Sequence, residues 1–445
     1  MTTTSQMMKH LLRSSLAVIL LLNCTFSMAQ ESQNFTFSLA EAQEYALQNN
    51  LTRKNAALDV EIAKKKVWET TAQGLPQITG AADFQMILND LPSLEFPGEN
   101  GEVMKIEVGE KANATYSVTA SQLIFSGPYI VGLQASRAYK RMSENALSKA
   151  DRDIKADVAN AYYTVLLLQE TNTILDSSVA NLRQTYKDAE ALYKTGFTEE
   201  SDANQVKVSL SLVESSFKET KKQLKSAENF LKYQLGIENG AHIALTQKLD
   251  EMIKGFEPTL GHGDILDANS NIDLKIMDNQ IELNKLQVKL EKSSYLPNLS
   301  AYVTYQRLHK EPQVNFTPTS ILGVQLSLPI FSSGMRNSKV QQAKMELDKS
   351  INSYNQVRQS LEMDLVDASA QLTVSWEKYT SQKENKELAD KVYQNYRIKY
   401  AKGMASQQDL IQANDKYLQA VGNYMSAIVD LFSARIRLDK LTGKL

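Results

Sequence analysis

The chain has 445 residues, 42% of them hydrophobic and 22% charged, with a formal charge of −2; this excludes a disordered acidic tail and a nucleic-acid binder built on excess positive charge. Eighteen glycines and nine prolines are too few for a loop-rich sandwich and point to long uninterrupted elements. The one cysteine, Cys24, excludes an intramolecular disulfide, and the four histidines (His10, His242, His262, His309) include no pair at metal-ligand spacing, so no metal site, cofactor or histidine triad is expected.

Residues 1–29 read as a signal peptide. Lys9, His10 and Arg13 precede the apolar run Leu16 to Leu22, and Ser27-Met28-Ala29 supplies small residues where a signal peptidase reads, placing cleavage after Ala29. Such a cut removes Cys24. Leu21-Leu22-Asn23-Cys24 loosely resembles a lipoprotein cleavage site, with Asn where a small residue is usual. The apolar run is far shorter than the roughly 20 residues of a spanning helix, and no other stretch reaches ~18 consecutive apolar residues. Any further membrane contact must therefore use strands or a surface.

After a first helix the period becomes two. Ile78, Gly80, Ala82, Phe84, Met86 and Leu88 alternate with polar or small residues, and so do Tyr116, Val118 and Ala120, which predicts strands over about 76–90 and 113–125. No proline lies between Pro128 and Pro258. In that stretch Val158, Ala161, Val165, Leu168, Asn172, Leu175, Val179, Leu182, Tyr186, Ala189 and Tyr193 follow a 3-4 spacing, a coiled-coil seam with a period of roughly 3.5 residues. A helix from about 130 to 194 would be on the order of 95 Å long. Gly196, in Tyr193-Lys194-Thr195-Gly196-Phe197, interrupts it and reads as the left-handed end of the rod, with a returning arm over about 201–235.

Residues 237–264 form a linker, after which the order returns: a helix, strands over about 297–309 and 319–330, and a second rod. Val303 and Tyr305 lie on one side of the first of these strands, Val324 and Leu326 on one side of the second. The rod carries Val340, Ala343, Leu347, Ile351, Tyr354, Val357, Leu361, Leu365, Ala368, Leu372, Trp376 and Tyr379 on its seam, turns at Gly403-Met404, and returns over about 407–441.

The layout is therefore an internal repeat, 30–236 and 265–445. Gly74-Leu75-Pro76-Gln77-Ile78 matches Tyr295-Leu296-Pro297-Asn298-Leu299, Leu123-Ile124-Phe125-Ser126-Gly127 parallels Pro329-Ile330-Phe331-Ser332-Ser333-Gly334, and Gly196 and Gly403 each stand six residues before an aspartate, Asp202 or Asp409. About 15 extra residues fall in one loop of the first half, which holds Pro92, Pro97, Gly98 and Gly101. Strands of this length, about 9 to 11 residues, on an exported chain fit an outer-membrane barrel. Four strands cannot close one, since the smallest single-chain barrels have eight, and open edges in lipid leave backbone groups unsatisfied. The strand count predicts that several copies share a barrel, with Ile78, Phe84, Tyr116, Val118, Val303, Tyr305, Val324 and Leu326 facing lipid.

With its signal peptide, its duplicated order of helix, two strands and long helical hairpin, and its Gly-x5-Asp tips, the chain resembles the TolC family of outer-membrane efflux proteins over about 35–445. The resemblance implies a mainly α fold with a membrane β-barrel portion, in which a homotrimer shares a 12-stranded barrel continued by a helical tunnel through the periplasm. It also implies a passive exit duct in the outer membrane of a Gram-negative bacterium, with a periplasmic adaptor protein and an inner-membrane transporter as partners. In the family an Asp-x-x-Asp pair after the second tip rings the closed periplasmic entrance. Asp409 matches the first acid and Gln412 replaces the second. Three symmetry-related carboxylates in a narrow ring attract cations, so a neutral second ring implies weaker cation block. The local alternative for Asp409 is a first-turn carboxylate favoured by the helix dipole. Asp202 reads as mainly structural. Gly196, Phe197, Gly403 and Met404 are candidate adaptor-docking residues, with hairpin packing the alternative for Phe197 and Met404.

Asp364 and Asp367 lie three residues apart with no histidine or glycine-rich loop beside them, and read as solvated or tunnel-lining. Trp68 and Trp376 fall on helices, where core or interfacial packing is the default, and Gly261-His262-Gly263-Asp264 is a turn. No phosphate loop or nucleophile elbow occurs. The reading is a non-enzymatic conduit, with an exported coiled-coil scaffold lacking a membrane barrel as its rival.

Overall fold

The computed structural model describes residues 34–97, 103–238, 240–253, 270–311, 315 and 317–445. The expected signal peptide with Cys24, the Gly98 and Gly101 positions and the Gly261-to-Asp264 turn lie outside the described residues.

Strand β1 (Asn34–Phe37) leads into α1 (Leu39–Asn49) and α2 (Leu51–Ala72). Ser38 and Glu41 form a reciprocal capping box at the start of α1. Asn50 ends that helix and begins the next, its side chain accepting from the backbone N–H groups of Thr52 and Arg53 at 2.8 and 3.3 Å. Strands β2 (Gln77–Met86), β3 (Ser93–Pro97), β4 (Val103–Glu107) and β5 (Ala112–Ser126) follow, then the rods α3 (Gly127–Lys194) and α4 (Glu200–Leu235). Helix α3 has 68 residues, about 100 Å of rod. It begins three residues earlier than expected because Ser126 caps it and Pro128 sits in the first turn, where a missing N–H costs nothing.

Strand β6 (His242–Leu245) and α5 (Leu249–Ile253) fall in the expected linker. The element order then recurs with α6 (Ile272–Ser293), β7 (Asn298–Leu308), β8 (Ser320–Ser327), α7 (Met335–Ala401) and α8 (Gln407–Thr442). Strands β2, β7 and β8 are each shorter than their expected spans, and β5 is one residue longer at both ends.

Among the described residues three sheets result. Strands β2-β5-β7-β8 form one antiparallel sheet with β2 and β8 as open edges; β3 and β4 form a hairpin in the extra loop of the first half; β1 and β6 pair in parallel. The last two pairs were not expected from the sequence. Beneath the four-stranded sheet the helices lie side by side, α2 on α3, α3 on α6 and α6 on α7. Ion pairs tie this layer: Arg53 with Asp151 at 2.8 Å, and Asp273 of α6 with both Lys149 and Arg152 of α3. Burial alone would push the Asp273 carboxyl up, but these two cations hold it below its ordinary value.

The main core sits at mid-rod, where α3 around 154–167 meets α8 around 421–438 and is covered by α1, β1, β6 and α5. Tyr163 and Phe432 stack with centroids 3.9 Å apart, and the buried Tyr162 hydroxyl donates to the Phe37 carbonyl at 3.0 Å. Of the seam residues, Leu365, Ala368, Leu372 and Tyr379 belong to this core and Val179, Leu182, Val340 and Ala343 are buried away from it, whereas Tyr193 and Ile351 are exposed. Trp376 packs against the core edge, whereas Trp68 is 63% exposed on α2. Asp364 pairs with Arg437 at 2.8 Å across α7 and α8.

Candidate functional site

Two regions carry the residues singled out by the sequence: the four-stranded sheet and the two hairpin tips. In an antiparallel sheet residues directly opposite share a face, so register decides which side chains stand together. Ile78 is opposite Ala120, Phe84 opposite Ala114, and Val118 opposite Tyr305; Val303 is opposite Ala120, and Val324 and Leu326 are opposite Ala301 and Leu299. All eight positions, Tyr116 included, therefore lie on one face, and every one is exposed in the single chain. Contiguous exposed apolar surface of this extent marks an interaction with lipid or protein.

The other face is mostly polar. Thr79 is opposite Thr119, Ser117 opposite Gln306 and Ser300 opposite Gln325, and the hydroxyls of Thr119 and Thr304 lie 3.0 Å apart. The ring of Tyr302 lies over Gly323 on this face, and an added Cβ would meet the end of that ring at 2.4 Å, so the ring would have to shift. The sheet is apolar on one side, hydrophilic on the other, and open at both edges.

At the far end both rods turn in the same way. The N–H of Gly196 donates to Tyr193 O at 2.9 Å and that of Phe197 to Leu192 O at 2.9 Å; Gly403 and Met404 repeat the pattern to Tyr400 and Lys399 at 2.9 and 2.8 Å. These are Schellman turns, with the glycines at φ +80° and +72°. Phe197 is 79% exposed and Met404 65%, so hairpin packing within the chain does not account for either.

Asp409 occupies the third position of α8 and closes a capping box. The Ser406 hydroxyl and N–H donate to its carboxylate at 2.7 and 3.2 Å, and its own N–H donates to the Ser406 hydroxyl at 3.2 Å. The Ser406 hydroxyl bond, joined by the backbone bond, holds the Asp409 carboxyl below its ordinary value. One turn on, Gln412 is exposed, while Leu410, Ile411, Ala413 and Asn414 are buried. Asp202 lies in the first turn of α4, and its backbone carbonyl accepts a hydrogen bond from the Gln407 side chain, joining the two tips.

Further contacts near the tips were not singled out from sequence. Arg397 of α7 donates to the Asn181 side chain of α3 at 3.3 Å, Tyr393 and Tyr417 stack with centroids 5.6 Å apart, and the Ser178 hydroxyl donates to the fully buried Asn414 at 3.3 Å. Only the capping box left a local signal, the Ser-x-x-Asp of Ser406 to Asp409.

Among the described residues no group of three or more His, Cys, Asp or Glu is placed to hold a metal ion, and no helix is long and apolar enough to cross a membrane. The model of the outer membrane efflux protein family matches residues 43–236 and 268–444, nearly all of both halves. The chain belongs to the outer membrane efflux protein family. It is 23% identical to the cobalt-zinc-cadmium resistance protein CzcC of Cupriavidus metallidurans over 349 residues, 77% of this chain and 80% of that one. It is 21% identical to the probable efflux pump outer membrane protein TtgC of Pseudomonas putida over 413 residues, 92% and 81% of the two chains. In fold it is similar to the Campylobacter jejuni CmeC outer membrane channel, with a TM-score of 0.71 at 17% identity over 91% of this chain and 85% of that one. This family member is an outer-membrane efflux channel, the outer-membrane part of a tripartite pump, with a long periplasmic tunnel portion.

Proposed function

We propose that three copies of this efflux protein close a shared 12-stranded barrel through their open edges β2 and β8, and that the duct so formed is passive and gated at the helical tips by Asp409. The observation that carries this reading is the sheet itself: two edges unpaired among the described residues and one face with eight exposed apolar side chains, which lipid accepts only when every backbone group is paired between subunits. The helical layer supports the same assembly. Its edge helices α2 and α7 leave Leu51, Leu58, Ile62, Trp68, Met345 and Ile351 exposed, apolar side chains that contact between subunits would cover.

In this assembly Ile78, Phe84, Tyr116, Val118, Val303, Tyr305, Val324 and Leu326 face lipid, and the threonine and serine face lines a wet lumen. The recurring element order supports the duplicated halves 30–236 and 265–445, joined by 237–264. Asp409 both caps α8 and, repeated by threefold symmetry, supplies one ring of negative charge; Gln412 contributes a neutral ring one turn further in. Asp202 serves the first tip through its backbone. Gly196 and Gly403 shape the turns that present Phe197 and Met404, whose exposure supports docking of a periplasmic adaptor, with an inner-membrane transporter supplying the energy.

The test is single-channel conductance of the mature protein in a planar bilayer, with a trivalent cation added from the side of the tips. Small cation-preferring steps, blocked by the ion and widened by Asp409→Ala, are expected. Absence of conductance from a protein that stays soluble without detergent overturns the barrel; block that survives Asp409→Ala overturns the gate.

A further inference from the structure

Between α3, α6 and α7, just below the sheet, lies a groove of about 580 Å³ whose lining is strongly basic. Arg137, Arg141, Lys285, Lys289 and Lys292 line it against the single carboxylate Glu282. Glu282 is already engaged by Arg141 at 2.5 Å. Among the described residues none of the other four cations is ion-paired, and all four are exposed. A row of surface lysines is ordinarily just a solvated face. Here the cations of two helices instead converge on one concavity, with apolar side chains at its floor, Leu286 and Val288 among them.

Position identifies the ligand. Lys292 is the last residue but one of α6, five residues before the Pro297 that precedes β7, and Lys285 is only about 10 Å further from that junction. Arg137 lies ten residues into α3, about 15 Å from the end of β5. With the sheet in the hydrocarbon, this is the depth of the periplasmic headgroups, a layer several ångström thick, and the remaining cations lie within about one or two Debye lengths of it. The groove also faces outward. Arg137 precedes Tyr162 by 25 residues, close to seven turns, so both lie on one face of α3. That is the face on which Tyr162 holds β1 and α1, a module that must lie outside the tunnel if the lumen is to be clear.

We propose that this groove binds the phosphate of an anionic phospholipid headgroup, seating the trimer at a fixed depth in the periplasmic leaflet. Lys289 and Lys292 meet the phosphate, Arg137 and Lys285 supply the surrounding positive field, and Leu286 and Val288 lie beneath the first carbons of the lipid. The inference rests on the membrane placement of the sheet proposed above.

The full mature protein in neutral detergent is titrated with short-chain phosphatidylglycerol, with phosphatidylcholine of the same chain length, and with inorganic phosphate. The expected result is a preference on the order of tenfold for the anionic lipid. That preference should be lost when Arg137, Lys285, Lys289 and Lys292 are all replaced by Gln. It should be kept when Lys218, Lys221, Lys222 and Lys225, four exposed cations of α4, are replaced instead. A preference that survives the groove substitutions, or is lost equally in both variants, overturns the proposal. Inorganic phosphate competing as well as the lipid makes the groove a free-anion site and overturns the headgroup assignment. Conductance separates the two levels: a wild-type protein that forms no channel fails on the membrane placement, whereas a conducting protein with an unchanged preference fails on the groove alone.

Discussion

The two hairpins turn through the same backbone geometry and are held together differently. The first, α3 with α4, closes on buried aliphatic side chains, Val179, Leu182, Leu210 and Val213, then Ala189, Ala203 and Val206 nearer the tip, with Tyr186 and Phe217 as the aromatic residues at their edge. Its returning helix starts at Glu199 without a side-chain cap bond. The second, α7 with α8, closes near its tip on Tyr393, Leu410 and Ala413 with Tyr396, Tyr400 and Tyr417 around them, and its returning helix is fixed by the Ser406–Asp409 box. Aliphatic contacts depend little on pH and have no second partner to turn to. Phenols, an arginine and a carboxylate can exchange hydrogen-bond partners, and the second hairpin carries more of them near its tip.

That contrast can be broken by mutation. The largest effect should come from Leu182→Ala, which empties a side chain only 2% exposed and should cost about 3 kcal/mol. Hydrogen exchange should then quicken along the first hairpin and not the second; a uniform loss of protection would erase the distinction. Gly196→Ala and Gly403→Ala should each cost about 1 kcal/mol, because φ is left-handed at both and nothing lies within 4 Å of the added methyl. Equal effects in the last turns of α3 and α7 sharpen the picture of one shared turn, and unequal effects break it.

Ser406→Ala should loosen the start of α8 by about 1 kcal/mol, while Glu199→Ala, with no cap bond to lose, should leave α4 nearly unchanged. Similar amide protection in the two variants would count against the asymmetry. The smallest effect is a pH response. Because the Asp409 carboxyl is held below its usual value of about 3.9, its share of the cap is fully present above about pH 5 and is lost as pH falls through the lowered value. Amide protection at the start of α8 should therefore decline on acidification, and Asp409→Asn should flatten that decline; a variant that still responds places the titrating group elsewhere.

The long-range architecture was legible wherever a pattern repeats. The seam around Leu182 and the alternation through Val303 and Tyr305 each bury or expose whole sets of residues, so a single spacing fixes many positions. Parity placed the apolar positions of each strand on one side, and the register joins those sides into one face. What escaped was built from short or distant pieces. Asn34–Phe37 and His242–Leu245 are four residues each, too short for a periodic signal, and pair across the length of the first half. The β3–β4 hairpin is five residues per strand. Arg397 and Asn181 are single side chains 216 residues apart, brought together only by the packing of α8 between hairpins. The Asp409 box is readable from Ser406, three residues before it, since that spacing lets each side chain reach the other's backbone N–H.

The parallel pairing of β1 with β6 has a consequence for how the chain assembles. A polypeptide exported N-terminus first delivers Asn34–Phe37 early, yet its partner His242–Leu245 follows only after both arms of the first hairpin have emerged. Closure across some 208 residues carries an ordering cost that is repaid late. Until then Phe37, whose carbonyl takes the Tyr162 hydroxyl, has no strand beside it. The clasp at mid-rod thus registers completion: it can lock only on a protomer whose first half is already in place.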